Sequence, residues 1–138
     1  MNQDVDENDL RRRFQEEIEM KFLTMVVTTN PDKAGPPPPA LFQAIMELGQ
    51  ATGAALKDTG GMKDIGVVKV ENHDMFVDGP FAEAKEAIGG YAIYDLPSYD
   101  DVRAYVEKFL DLHRKHWPAW EGQVTIQELV AYGPNSAG

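Results

Sequence analysis

The sequence predicts an α+β fold in which two amphipathic helices lie on one face of a small sheet. Two stretches, around 40–55 and 98–113, place their apolar residues at a 3.6-residue period. Short apolar runs of strand length come before, between and after them. Those runs are apolar on both alternating faces, as in strands buried on two sides. At 138 residues, with 43% hydrophobic and 26% charged, the chain has the size and composition of one globular domain with a real core.

In chain order, residues 1–19 are mostly charged, but Leu10, Phe14 and Ile18 follow Asp9 at helical spacing. They predict an appended helix or a loose tail ahead of the domain proper, which spans 20–132. Residues 21–28 read as a two-sided strand, and 30–35 as a loop. The four prolines 36–39 hold an extended lead-in whose last member suits the first turn of a helix. From Ala40, the positions Leu41, Ala44, Ile45, Leu48, Thr52 and Ala55 form one helical stripe, ended by Gly60-Gly61. Residues 66–71 and 74–77 read as a hairpin turning at Asn72-His73, and 91–96 as the next strand. Ser98, with Asp101 three residues on, caps a second helix whose buried stripe is Val102, Tyr105, Val106, Phe109 and Leu110. Residues 123–130 give the last strand and 133–138 a small polar tail. The order β-α-β-β-β-α-β is a ferredoxin-like βαββαβ core with an added hairpin strand. Two helices shelter only one face of such a sheet, so the apolar second face predicts a homodimer.

One stretch ties strand, turn and strand together: Asp78-Gly79-Pro80-Phe81, continuing through Ala82-Glu83-Ala84-Lys85-Glu86 to Gly89-Gly90-Tyr91. Pro80 confines Gly79 to extended angles and removes the amide that Asp78 would otherwise bond two residues on. The Asp78 carboxylate is therefore either a cap for the 82–87 segment, through the amide of Phe81, or a group presented to something else. This stretch resembles the signature of the DGPF-domain branch of the YCII-related family. Met20-Lys21-Phe22-Leu23, Leu56-Lys57-Asp58-Thr59-Gly60-Gly61-Met62 and Leu112-His113-Arg114-Lys115-His116-Trp117-Pro118-Ala119-Trp120-Glu121-Gly122 resemble it in the same order, so the similarity runs from about residue 20 to 130. The resemblance implies a ferredoxin-like subunit paired into a dimeric α/β barrel. It also implies an association with extracytoplasmic-function sigma factors, whose genes often neighbour those of DGPF proteins.

Charge and composition narrow the partners. The net charge of −10, from 23 acidic and 13 basic side chains, repels polyanions, which argues against nucleic acid and anionic membranes. Without cysteine there is no disulfide, thiolate nucleophile or Cys-type zinc site. No apolar run approaches the roughly 20 residues of a membrane span, and the acidic start is unlike a signal peptide, so a cytoplasmic protein is expected.

The candidate chemistry is sparse. Extending the second helix's stripe brings in His113, with His116 one turn on beside Trp117 and Trp120. The His pair reads as hydrogen-bonded and partly buried, as part of a small-ligand pocket, or as two of the three or four ligands a metal needs. The two tryptophans read as core or dimer-interface packing. Asp78 with His113 would make a carboxylate–imidazole pair suited to proton transfer near neutral pH, with Phe81, Tyr91, His116 and Trp117 lining a ligand site. The resemblance implies a comparable His–Asp pair for elimination-type chemistry on a small ring substrate, its His early in the first helix. Here that helix offers Phe42, Gln43 and Met46 instead. No cofactor is expected, since the chain has neither a Walker loop nor a dinucleotide fingerprint, Gly60-Gly61 and Gly89-Gly90 reading as turns. A small-molecule ligand and a second copy are the expected partners. A noncatalytic regulatory module is the alternative.

Overall fold

A computed structural model describes residues 20–78 and 87–132, apart from the side chains of 78, 87 and 88. The appended helix or tail at 1–19, residues 82–86 of the segment that Asp78 would cap, and the polar tail at 133–138 lie outside the described residues. The elements are β1 (Met20–Thr28), a one-turn helix α1 (Pro31–Ala34), α2 (Pro39–Thr52), β2 (Leu56–Gly61), β3 (Val67–Glu71), β4 (Asp74–Asp78), β5 (Ala87–Leu96), α3 (Tyr99–His116) and β6 (Gly122–Leu129). β2, β5, β1 and β6 form a four-stranded antiparallel sheet in that order, and β3 pairs only with β4. With the hairpin set aside, the order is the β-α-β-β-α-β of a ferredoxin-like α+β fold.

The core lies between helices and sheet. Phe22, Tyr94, Leu96, Val102 and Val106 form its buried cluster, with Met20, Leu56, Ala92, Val124 and Ile126 packed around it. Alternation along the strands therefore points even-numbered residues of β5 and β6 toward the helices, and Leu23, Met25, Tyr91, Ile93 and Thr125 away from them. The cross-strand pairs Leu23–Ile93, Met25–Tyr91 and Met25–Thr125 make that second face continuous. α3 begins as expected: the Ser98 hydroxyl oxygen accepts the Asp101 amide at 3.2 Å and donates to its carboxylate at 2.8 Å.

Four local expectations give way. The 30–35 loop contains α1, because the Asn30 carbonyl accepts the amides of Lys33 and Ala34 behind a first-turn proline. Leu56–Gly61 is a strand, although its two glycines and short polar residues carry little strand propensity. Gly89 and Gly90 lie inside β5, and Gly60 and Gly61 pair with Tyr91 and Gly90 across the sheet. The reason is proximity: a Cβ on Gly90 would meet the Gly60 carbonyl oxygen at 2.9 Å, and the Tyr91 ring fills the space where Gly60 has no side chain. Finally, the hairpin does not extend the main sheet but forms a separate ribbon. Its turn at Asn72-His73 is as expected, with both residues left-handed at φ 51° and 71°.

Candidate functional site

The residues at the C-terminal end of α3 meet the chain between β1 and α1 to form a closed corner. Asn30 does not cap α1 with its side chain; its amide nitrogen donates to the Ala119 carbonyl at 2.9 Å and its amide oxygen accepts the Glu121 amide at 2.8 Å. The Trp117 indole donates to the Ala34 carbonyl at 2.9 Å, and the Trp120 indole to the Thr28 hydroxyl at 2.8 Å. Buried Trp needs such a partner for its N–H, and here each partner is a different segment of the same corner. Gly122 completes it: a Cβ there would fall 2.2 Å from the Trp120 ring and 2.3 Å from the Val27 carbonyl oxygen.

His113 is enclosed by this corner and only 4% exposed. Its ring lies 4.6 Å from that of Phe109, 4.5 Å from Trp120 and 6.3 Å from Trp117, centroid to centroid. Nδ1 is 3.0 Å from the Phe109 carbonyl oxygen; since a carbonyl only accepts, Nδ1 carries the proton and Nε2 is the acceptor. Burial pushes the imidazole pKa below its ordinary value, against a smaller upward pull from the Phe109 carbonyl. His116, one turn on, is half-buried. Among the described residues, no three His, Asp or Glu side chains gather to hold a metal ion.

Tyr91 lies on the other face of the sheet. Its hydroxyl donates to the Asp58 carboxylate at 2.9 Å, and Thr59 donates to its carbonyl at 2.8 Å. The hydrogen bond to Asp58 raises the Tyr91 pKa, so the phenol keeps its proton and acts as a donor. The structure thus brings together His113, Trp117 and Trp120, with His116 adjacent, and separates Tyr91 from them by the thickness of the sheet. Asp78 closes β4 opposite Val67; its side chain, and all of Phe81, lie outside the described residues. Sequence reasoning missed Asp58 and Asn30. Asp58 stands within the 56–62 stretch that carries the resemblance, whereas Asn30 gives no signal, because the groups it bonds lie some 90 residues away in the chain.

Two oxygens on the face away from the helices, Asp95 Oδ1 and Thr125 Oγ1, are buried without a hydrogen-bond partner among the described residues. Lys21 Nζ lies 3.9 Å from that Asp95 oxygen, near enough to pair charges but too far to hydrogen-bond. No helix among the described residues is long and apolar enough to cross a membrane. No curated protein matches the chain. The model of the YCII-related domain matches residues 20–109, which carry β1 through most of α3. With about two thirds of its length covered, this chain belongs to the YCII-related domain family.

Proposed function

We propose that the protein is a homodimer of the DGPF branch of this family and binds a small, partly aromatic ligand between its sheet and helices. Asp78 would serve as the acid–base group of elimination-type chemistry there, with His113 as its imidazole partner. The observation that carries the ligand reading is the incomplete burial of α2's inward stripe. Leu41 is 2% exposed, yet Ala44, Ile45 and Leu48 on the same stripe are only half-buried, although a core helix normally covers such positions. A small ring-containing molecule seated against α2 would complete the burial of those positions. Support for the dimer comes from the second sheet face, which is apolar at Leu23, Met25 and Ile93.

Asp78→Asn tests the site. A ligand-holding carboxylate predicts an unchanged melting temperature and loss of the shifts that small ring-containing compounds induce in the wild type. A cap predicts a lower melting temperature, by about 1 kcal/mol of stability. A variant that melts as the wild type does and keeps every ligand-induced shift dismisses both roles. One observation favours a second reading, a noncatalytic regulatory or protein-partner module linked to an extracytoplasmic-function sigma factor. His113 is walled by three aromatic rings and bonded to its own helix, as a packing residue would be. A wild type that no such ligand shifts, together with a destabilised Asp78→Asn, supports that second reading.

A further inference from the structure

The corner that encloses His113 is built separately from the hydrophobic core. The buried cluster of Phe22, Tyr94, Leu96, Val102 and Val106 includes no residue of it. Residues 28–34 and 117–121 are joined instead by single hydrogen bonds: the Asn30 side chain to Ala119 and Glu121, the Trp117 indole to Ala34, the Trp120 indole to Thr28, and the Thr29 amide to the Glu121 carbonyl at 2.9 Å. Scattered bonds between turns open at a lower free energy than a strand ladder. The packed centre of the corner is His113, whose ring lies among those of Phe109, Trp117 and Trp120. Its closed form is neutral, with the one proton on Nδ1 facing the Phe109 carbonyl.

We propose that His113 makes this corner an acid-operated latch: a second proton on its ring opens residues 117–121 away from 28–34 and frees the segment that leads through the prolines into α2, while the sheet stays folded. A proton on Nε2 places a full charge among aromatic carbons. Aromatic faces and the last carbonyls of α3 attract a cation, but burial is the dominant influence and holds the closed form's pKa below 6.5. No neighbouring charge offsets it. On α3, Asp111 and Arg114 pair with each other, Lys115 is exposed and His116 is half-buried. α1 offers Asp32 and Lys33, the turn Glu121 and α2 Glu47, all exposed, while Thr24–Thr28, Tyr91–Tyr94 and Gly122–Ile126 of the sheet carry no charged residue. Once the corner is open, the imidazole meets water and takes its proton at about the ordinary 6.5. The closed corner is therefore favoured above that pH and loses favour as pH falls below it. The latch depends on neither a ligand nor a second copy.

Hydrogen exchange of the full chain, referenced to intrinsic rates at each pH, tests this. The amides of Thr29, Trp120 and Glu121 are hydrogen-bonded within the corner. Between pH 7.5 and 5.5 their protection should fall severalfold, up to about tenfold, the limit for one proton that only the open form takes up at 6.5. At both pH values it should stay well below that of residues 22–25 in the central strand β1, because the corner opens without the sheet. His113→Phe keeps a ring in the cage and removes the titrating group, so its corner protection should not change with pH. Corner amides as well protected as those of β1 would open only with the whole fold, which overturns the latch. Wild-type protection that is flat across this range overturns it as well, and a fall that persists in His113→Phe does so by assigning the change to another group. Should the variant fail to fold, the wild-type exchange decides alone.

Discussion

The imidazole of His113 sits in the last turn of α3, where the helix's terminal carbonyls favour a cation, inside a ring of aromatic side chains that does not. Desolvation wins, and the pKa falls below the ordinary 6.5. The sign of the consequence follows from linkage. Below about pH 6.5 the unfolded chain takes up this proton while the folded chain resists it, so stability that is fully present above 6.5 is lost as pH falls toward the folded pKa. A melting series from pH 7.5 to 5.5 should therefore slope downward on acidification, and His113→Gln should flatten part of that slope. Identical slopes in the two proteins would show that burial does not govern this group. The inward placement of His113 was legible from its position on the α3 stripe, eleven residues beyond Val102. Its enclosure was not, because the rings that close over it come from a turn whose geometry depends on Thr28, Asn30 and Ala34 at the other end of the chain.

The helices and the central strand β1 could be read from the sequence because each carries its own pattern: Leu41 to Leu48 along α2, Val102 to Leu110 along α3, the two-sided run of β1. β2 could not. Leu56–Gly61 is held in the sheet by what β5 supplies, above all the Tyr91 ring over Gly60, so its strand character belongs to the pair rather than to its own residues. The same holds for Gly89 and Gly90, which look like turn residues until the Gly60 carbonyl is found where a side chain would stand. The Trp117–Gly122 corner depends on a third glycine in the same way. Gly122→Ala should cost about 3 kcal/mol, the upper part of the range for overpacking, because besides the Trp120 ring it strikes a backbone oxygen that cannot rotate aside. Urea unfolding measures this, and a loss below about 0.5 kcal/mol would mean that Trp120 is free to move and that the corner is looser than its hydrogen bonds indicate.

At the scale of the whole molecule, the helices cover one apolar face of the sheet, and the other face is apolar along the middle of β1 and β5. Phe22, Tyr94 and Leu96 are buried beneath α3, while Leu23, Met25 and Ile93 face the other way with no described element over them. That asymmetry was visible in the sequence as strands without a polar side, and the structure keeps it. What the strands could not disclose was that the hairpin stands outside the sheet with an apolar face of its own, because register and exposure decide that, not composition. The proposed pairing of two copies would cover the second sheet face, and the proposed ligand site beside α2 would then sit in each half of one assembly. Sedimentation equilibrium of the purified chain at micromolar concentration puts this to the most direct test. The account predicts a species of twice the 15.4 kDa chain mass; a single stable species at that mass itself, persisting as concentration is raised, would contradict it.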